Sequence, residues 1–397
     1  MTEPGVSQYN YIAQSCQQQA DYCLYQSNAP FNHLILSNIA HTLSQSITTS
    51  LHDALYNIFQ PYVHCTINEL INQAVPLRFI AALHYIKLNR VEDKFISIFP
   101  DSSTAQAYSD AHKFHIISDI IIQYQQRIIE FMKHEPQTNE INRSTTLLIG
   151  MLYVMKLFNN TRLSCYEIGS SAGLNTLFHR YCHNIQTIDR HGGISAVKIG
   201  DINSSVQCTS DWITPLPTSL TSLNITSDHI TVRGSDRSPV DLHDSDSVTR
   251  LQSYVWPDNI DRLYRLQSAL ELAQSMNVHI DQYDACEYVL SYVKLHSNAI
   301  TILYHTIVWQ YLTHEAKHRI EQHMIELGRQ ATYDSPLVWL CMESTDQVDM
   351  SYTVQCRIWP NASQHTHQLP DRIILAYCHA HGTWIDCAPI KNIVIPD

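Results

Sequence analysis

The sequence predicts an α/β protein in which an α-helical N-terminal region precedes a mostly parallel sheet with an antiparallel edge. Apolar residues recur at helical spacing in the first 160 residues, whereas short β-rich segments alternate with helical segments from residue 163 onward. Strands that alternate with helices are typical of a parallel sheet covered by helices on both faces. The predicted division is therefore a helical region, residues 1–160, and an α/β region, residues 161–397.

Three apolar segments indicate core helices in the N-terminal region. Residues 77–88 and 144–158 are too long and too apolar to be exposed strands. In residues 113–132, an apolar stripe that includes Ile117 and Ile121 advances by three or four residues, as the buried face of a helix does. No segment before residue 163 alternates convincingly as a strand would, so helices are predicted throughout this region.

Short β-rich segments after residue 163 predict the sheet. They are residues 163–168, 229–236, 276–283, 299–306, 352–359 and 372–379, and helical segments lie between several of them. The last two follow each other closely, which favours an antiparallel hairpin at the edge of the sheet. Residues 210–228 are rich in Ser, Thr and Pro, and this composition indicates an excursion outside the sheet.

Composition narrows the classes of partner and compartment. The formal net charge of −12 disfavours a nucleic-acid-binding protein, which normally presents a basic face. No apolar run approaches the roughly 18 residues of a membrane span, and the polar N-terminus lacks the pattern of a signal peptide. The eleven cysteines contain no C-x-x-C pair, so neither a disulfide framework nor a zinc site is predicted. A cytoplasmic protein without a metal centre is expected.

The segment LSCYEIGSSAGLNTLFHRY, residues 163–181, fits two kinds of site. Its GSSAG is the G-x-S-x-G of a serine-hydrolase nucleophile elbow, with Ser171 as the nucleophile. Such an elbow needs an oxyanion loop from an earlier strand, and no earlier strand is predicted in this chain. A serine hydrolase is therefore the third candidate function.

The same residues also match a ligand-binding loop between a strand and a helix. Gly169 allows the chain to turn sharply from the strand, and Gly173 allows the next helix to begin close to a ligand, with its amides facing an anion or polar group. Glu167 is placed to meet a cationic or hydroxyl-bearing group, and an ordinary strand-end carboxylate is the alternative. Ser171 replaces the middle glycine of a dinucleotide fingerprint, which argues against a pyrophosphate ligand.

Three polar residues follow later strands of the predicted sheet. Asp236 ends ITVRGSD, the position at which Rossmann-like folds place a carboxylate on ribose hydroxyls. It lies 67 residues after Gly169, against a usual distance of about 20, and the predicted excursion accounts for the surplus. Asp284 either accepts from an adenine amino group or caps the next helix. His305 ends a fourth strand, close to where a substrate would lie.

This ordered set of motifs resembles the class I methyltransferases, which bind S-adenosylmethionine. Further blocks carry a closer resemblance: HEPQTNEINRS, YEIGSSAGLNTLFHRY, RGSDRSPVDLHD, SYVWPDNIDRLYRL, DACEYV, ILYHTIVWQYL, SPLVWLCME and RIWP. From about residue 77 onward the chain is similar to a bacterial family named domain of unknown function 2332. The resemblance implies a seven-strand, class I methyltransferase-like (Rossmann-like) fold behind the helical region.

The resemblance also implies a set of site residues. The cofactor-binding residues would be Glu167, Gly169, Ser171, Gly173, Asp236 and Asp284. Polar residues of the family segment QTNEINR are expected to reach the ligand cleft, and Trp256 of VWPDN to line it. The QTNEINR residues are Gln137, Asn139, Glu140 and Arg143. A polar loop that caps the next helix is the alternative for these four, and a Trp-Pro helix start is the alternative for Trp256.

The predicted function is methyl transfer from S-adenosylmethionine to an acceptor that is a small molecule or a protein. Such chemistry depends mainly on the relative placement of donor and acceptor. His305 is the candidate catalytic residue, as a general base for an acceptor that ionises poorly, and a histidine satisfied at a strand end is the alternative. The second candidate function is a non-catalytic module that binds an adenosyl ligand, because a fold does not by itself determine a reaction.

Overall fold

A computed structural model describes the chain at residues 5–45, 49–188, 194–214, 216–223, 225, 227–344, 352–360 and 372–391. The chain divides into two compact units, each made from two segments. One unit comprises Met1–Thr138 and His243–Gln267. The other comprises Asn139–Leu242 and Ser268–Asp397. Each unit has its own apolar core.

Fifteen α-helices and eleven β-strands lie in the described residues. The helices are α1 (Gly5–Tyr25), α2 (Pro30–Ser44), α3 (Ser50–Phe59), α4 (Ile67–Asn72), α5 (Val75–Leu88), α6 (Asp93–Ile96), α7 (Asp110–Gln123), α8 (Gln125–Met132), α9 (Arg143–Phe158), α10 (Thr218–Thr221), α11 (Ser245–Ser253), α12 (Ile260–Ser275), α13 (Ala285–Tyr292), α14 (His314–Gly328) and α15 (Ala388–Lys391). The strands are β1 (Leu163–Ile168), β2 (Cys182–Ile188), β3 (Ile194–Gly200), β4 (Gln207–Thr214), β5 (Ile230–Asp236), β6 (Ile280–Gln282), β7 (Ile300–Thr306), β8 (Leu337–Ser344), β9 (Tyr352–Trp359), β10 (Ile373–Cys378) and β11 (Trp384–Asp386).

The first unit is helical, and the described chain before β1 contains no strand, as the sequence predicts. The segment predicted as one helix, residues 113–132, is divided into α7 and α8 because Tyr124 leaves helical geometry, with φ −107° and ψ 20°. The apolar stripe continues across this break, because Ile117, Ile121 and Ile128 are all buried in the same core.

Two long-range polar contacts hold the later segment, which contains α11, in the helical unit. The Asp258 carboxylate accepts hydrogen bonds from the backbone N–H groups of Phe31 and Asn32 at 2.9 and 3.1 Å, which caps the start of α2. His84 of α5 is buried, and its Nδ1 lies 2.9 Å from the carbonyl oxygen of Val255. Because that oxygen can only accept, Nδ1 carries the proton.

The second unit contains one sheet of eleven strands in the order β3-β2-β4-β11-β10-β9-β8-β7-β1-β5-β6. Neighbouring strands are parallel in six pairs and antiparallel in four, and the β3–β2 pair at one edge is antiparallel. This confirms a largely parallel sheet with an antiparallel edge. The predicted hairpin is present as β9 and β10, but it lies inside the sheet because β11, β4, β2 and β3 continue beyond it.

The long interval between Gly169 and Asp236 contains strands that extend the sheet. β2 and β3 pair as a hairpin, and β4 pairs with both β2 and β11. The prediction that residues 210–228 form an excursion is wrong for residues 210–214, which belong to β4 with burial that alternates along the strand. Despite this insertion, β5 pairs with β1 in parallel, so Asp236 reaches the expected edge of the sheet.

Helices cover both faces of the parallel centre of the sheet. α9 packs on one face in a core that contains Cys165, Ile302 and Leu340. Residues of α13 and α14 pack on the other face in a core that contains Ile168, Leu303 and Trp339. The carboxyl ends of these parallel strands lie at one edge of the sheet, which the described residues after β1, β5, β6 and β7 follow.

Candidate functional site

The parallel centre of the sheet has the strand order of a doubly wound fold. β1, β5, β6, β7 and β8 follow one another along the chain and lie side by side in the order β6-β5-β1-β7-β8. Numbered from first to fifth this is 3-2-1-4-5, which is the order in Rossmann folds. The progression reverses between β1 and β7, and ligands of such sheets bind outside the carboxyl ends of the strands at this point.

The loop GSSAG after β1 has an unusual backbone. Gly169, Ser171 and Gly173 all have positive φ, at 71°, 55° and 76°. Glycine adopts this conformation without penalty, whereas Ser171 is strained. A Cβ atom on Gly169 would lie 2.3 Å from Val308, and one on Gly173 would lie 2.6 Å from Ile280. The packing of the loop against its neighbours therefore requires both glycines, independently of any ligand.

Hydrogen bonds fix this loop to the end of β5. The N–H of Ser170 donates to the carbonyl oxygen of Ser235 at 2.9 Å, and the N–H of Ser171 donates to Asp236 Oδ2 at 2.8 Å. Asp236 Oδ1 accepts from the N–H of Ser238 at 2.9 Å. Asp236 thus positions the loop, and each of its oxygens retains a lone pair that can accept from a ligand hydroxyl.

The element after the loop differs from the predicted helix. It is a 3-10 helix, Leu174–Arg180, and β2 begins at Cys182. The N–H of Leu174 is already bound by Asn139 Oδ1 at 3.0 Å. This start is therefore not the α-helical N-terminus that was expected to face an anion.

Glu167, the next-to-last residue of β1, is a buried carboxyl. Only 2% of its surface is exposed, and it lies opposite Gly234 on β5 and Tyr304 on β7. Burial raises the pKa of Glu167 to about 8, although the hydroxyl groups of Ser170 and Tyr304 lower the pKa in part. Near neutral pH its carboxyl is therefore mainly protonated, and a cation placed beside it would favour ionisation.

Three buried polar atoms beside the loop have no hydrogen-bond partner in the described part of the chain. They are Glu167 Oε2, Ser171 Oγ and Asn175 Oδ1. Asn175 is connected to the same site because its carbonyl oxygen accepts from the hydroxyl group of Tyr304 at 3.3 Å. Buried polar side-chain atoms are usually bonded, and exceptions need an explanation such as a ligand or bound water.

Glu140 connects the predicted cleft segment to the 3-10 helix and to the β10–β11 turn. Its backbone oxygen accepts from Asn175 Nδ2 at 3.3 Å, and its Oε2 lies 3.4 Å from His381 Nδ1. Arg143 Nε donates to the carbonyl oxygen of Ala380 at 2.9 Å. Asn139, Glu140 and Arg143 are thus brought together at the carboxyl edge of the sheet, where they make contacts within the protein.

The other predicted site residues are placed differently. Gln137 and Trp256 belong to the helical unit, where the Trp256 ring lies edge-on to Tyr22 with centroids 6.2 Å apart. Asp284 is exposed and caps α13, since its Oδ1 accepts from the N–H groups of Cys286 and Glu287. Asp284 therefore already acts as the cap of α13, and its contact with an adenine stays a prediction.

His305 lies at the end of β7 with both ring nitrogens engaged. Trp339 Nε1–H donates to His305 Nε2 at 3.0 Å, so that nitrogen is unprotonated. Nδ1 then carries the proton and donates to Glu343 Oε1 at 2.7 Å. The ring is 1% exposed and stacks on Trp309. In this arrangement a substrate would have to displace Trp339 before His305 could accept a proton.

Ser171 has no catalytic base in the described residues. Its Oγ is buried and makes no hydrogen bond, whereas a nucleophilic serine needs a base, normally histidine, within hydrogen-bond reach. The sharp turn of a nucleophile elbow is present, but the activating partner is not among the described contacts.

Sequence reasoning missed three residues that shape this edge: Asn175, Tyr304 and Glu343. Tyr304 adjoins His305 in ILYHT, and only the register of β7 against β1 shows that it faces Glu167. Glu343 is the next-to-last residue of β8, the fifth parallel strand, so its position after the apolar run LVWLCM was the available signal. Asn175 was hidden because its segment was predicted as an ordinary helix.

Comparisons with known proteins identify a family but no activity. The family model described as "Uncharacterized protein conserved in bacteria (DUF2332)" matches residues 35–387. No curated protein and no solved structure matches the chain. Among the described residues, no helix is long and apolar enough to cross a membrane, and no group of three or more His, Cys, Asp or Glu residues is arranged to hold a metal ion.

Proposed function

We propose that this chain, which belongs to the bacterial family DUF2332, binds S-adenosylmethionine at the loop after β1 and transfers its methyl group to a small-molecule or protein acceptor. The cluster of Glu167 Oε2, Ser171 Oγ and Asn175 Oδ1 is the observation that carries this proposal. These three atoms lie beside the reversal of strand order, where doubly wound folds bind nucleotides. A ligand with several donors would satisfy them together.

The residues of the loop have distinct proposed roles. Asp236 holds the Ser171 amide and offers its remaining lone pairs to the ribose hydroxyls. Glu167 would lose its proton when an ammonium or sulfonium group approaches, because an adjacent positive charge favours the carboxylate. Bound S-adenosylmethionine would supply an electrophilic methyl group. Methyl transfer by positioning requires no base when the acceptor is already nucleophilic, so the engaged nitrogens of His305 are compatible with it.

A non-catalytic module that binds an adenosyl ligand is the second candidate. The observation in its favour is that His305, the residue predicted as the base, is fully engaged by Trp339 and Glu343. The serine hydrolase is the third candidate and has the least support, because no base lies within hydrogen-bond reach of Ser171 Oγ among the described residues.

Calorimetric titration with S-adenosylhomocysteine and S-adenosylmethionine tests the proposed ligand. We expect both to bind to the wild type, and Glu167→Gln to bind both at least about tenfold more weakly because it cannot form a carboxylate. Glu326→Gln removes an exposed carboxylate from α14 and should bind as the wild type does. If neither ligand binds the wild type, the adenosyl assignment is wrong.

The release of S-adenosylhomocysteine from S-adenosylmethionine in a protein-free metabolite extract, and in a separate protein extract, tests turnover. Turnover in either extract supports the methyltransferase and indicates the class of acceptor. Binding without turnover in both extracts favours the non-catalytic module. Stoichiometric labelling of Ser171 by a fluorophosphonate would instead support the serine hydrolase.

A further inference from the structure

A cavity of about 310 Å³ lies over β8 and β9, on the opposite face of the sheet from Glu167. Alternate residues of β8 form half of its floor, and the β9 residues paired with them form the other half. These floor residues are Trp339, Cys341 and Glu343 on β8, and Arg357 and Gln355 on β9. Its volume is in the range of small-molecule sites, which begin at roughly 300 Å³.

Two arginines converge at one end of this cavity. Arg357 of β9 and Arg372, the residue before β10, adjoin the paired residues Cys356 and Ile373. Both line the cavity. Guanidinium groups offer N–H donors in the planar geometry that a carboxylate accepts. Arg372 Nη2 lies 3.5 Å from Glu321 Oε1.

The opposite end of the floor carries a carboxylate. Glu343 Oε1 accepts from His305 Nδ1 and from the N–H groups of Val308 and Trp309, at 2.7, 3.0 and 3.1 Å. Burial opposes ionisation of Glu343, but these hydrogen bonds outweigh it, and its pKa falls below the ordinary value. The described residues donate no hydrogen bond to Oε2, so one oxygen of an ionised carboxylate remains available on the cavity wall.

Aromatic rings form the wall between these charged ends. Trp309 and Trp339 contact each other edge to face with centroids 5.1 Å apart, and both line the cavity. Tryptophan rings favour contact with planar ligands, and the face of a tryptophan ring also attracts cations. Cys341 lies on the floor between the ends, but burial raises the pKa of its thiol to about 12, so it is not a reactive thiolate at neutral pH.

We infer that this cavity is a second ligand site, for a planar small molecule with a carboxylate at one end and an ammonium group at the other. The carboxylate would bind Arg357 and Arg372, and the ammonium would bind Glu343 Oε2. Trp339 pairs with Arg357, and Glu343 lies four positions after Trp339 along the extended strand. The Cα atoms of Trp339 and Glu343 are therefore roughly 13 Å apart. After the side chains are accommodated, that distance leaves space for one aromatic ring.

This site is separate from the loop after β1, although the two share a boundary. Val308 fills the space beside Gly169, and its neighbour Trp309 lines the cavity. A ligand in the cavity would therefore lie one residue from the segment that packs on the loop. The inference does not depend on an adenosyl ligand, because its charges and walls are all on β7 to β10 and the segment that follows β7.

Three matched compounds test the inference by calorimetric titration of the full-length protein without any adenosyl ligand. 4-(Aminomethyl)benzoate carries both charges at opposite ends of a ring, 4-methylbenzoate carries only the anion, and 4-methylbenzylamine carries only the cation. We expect the first to bind at least about tenfold more tightly than the second, and the third not to bind measurably. Equal affinities for all three, or no binding of any, would overturn the inference.

Variants assign each end of the ligand to its residues. Arg357→Met and Arg372→Met should each weaken the binding of 4-(aminomethyl)benzoate and of 4-methylbenzoate at least tenfold. Arg329→Met, an exposed control on the same unit, should have no effect. Glu343→Gln retains an oxygen that accepts from His305 and should abolish the preference for 4-(aminomethyl)benzoate over 4-methylbenzoate. Loss of affinity for 4-methylbenzoate in Arg329→Met, or an unchanged preference in Glu343→Gln, would contradict the assignment.

Discussion

Glu167 shows how one buried residue makes the stability of the fold depend on pH. Burial raises its pKa to about 8 from an ordinary value of 4.5, so between these pH values the folded protein holds a proton that the unfolded chain lacks. The stability associated with this proton is complete below about pH 4.5 and is lost as the pH rises through 8.

Glu167→Gln therefore provides a test without any ligand, because the amide cannot ionise. Between pH 5.5 and pH 8.5 the melting temperature of the variant should rise relative to that of the wild type by at least about 3 °C. Differential scanning calorimetry at the two pH values measures this difference. Glu326→Gln, an exposed site, should show no such trend. A gap between Glu167→Gln and wild type that is independent of pH would contradict the raised pKa.

Asp236 combines the loop contact that the structure shows with the ribose contact that we propose. Asp236→Ala removes both amide contacts and should weaken S-adenosylhomocysteine by about ten- to a hundredfold, equivalent to roughly 1.5–3 kcal/mol. Asp236→Asn keeps one acceptor oxygen and should be milder. Asp241→Ala, at an exposed position five residues later, is the control in the same titration. Wild-type binding by Asp236→Ala, or a larger loss in Asp241→Ala, would contradict this role.

At the scale of elements, the sequence predicts those whose signal is local. The apolar segments at residues 77–88 and 144–158 correspond to α5 and α9, and the β-rich segment 299–306 corresponds to β7. The 3-10 helix Leu174–Arg180 and the first three residues of β2 lie in a segment predicted as one helix, residues 174–184. LNTLFHRY has apolar residues at helical spacing, and only the pairing of β2 with β3 and β4 decides where the helix ends.

The cap of α2 by Asp258 is an element-scale contact that local sequence does not reveal. Ala29, the N-cap residue, has no side chain that can accept from the first amides, and a carboxylate 227 residues away from Phe31 replaces it. Asp258→Ala should lower the free energy of unfolding of the helical unit by about 1–2 kcal/mol, because two amides at the helix start lose their acceptor.

Urea unfolding followed by circular dichroism measures this loss. Asp258→Asn retains one acceptor and should lose about half as much. Asp261→Ala, an exposed carboxylate three residues later, should change the unfolding free energy by no more than about 0.5 kcal/mol. An equal effect of Asp258→Ala and Asp261→Ala would show that the cap does not contribute.

At the scale of the whole molecule, the chain passes between its two units more than once. The division of the units falls within α12, between Gln267 and Ser268. Periodicity reports which face of a helix is apolar, and not which core receives that face. The long-range contacts of His84 and Asp258 assign residues 243–267 to the helical unit, and no pattern inside that segment specifies them.

By itself the sequence determined the class of the fold and several of the residues at the edge of the sheet where the candidate site lies. Alternation of strands and helices specifies a parallel sheet, and parallel strands bring their carboxyl ends together, so Glu167, Asp236 and His305 were found without a structure. These predictions depend on local periodicity and on the direction of the chain. Both are properties of consecutive residues.

Only the tertiary structure decided which polar atoms face each other. Strand register sets Tyr304 beside Glu167, and it places the ring of His305 where Trp339 and Glu343 both bond to it. Each of these contacts joins residues from different strands, and a shift of one residue would move every side chain to the other face of the sheet. That register results from the packing of whole strands and helices, so single segments do not encode it.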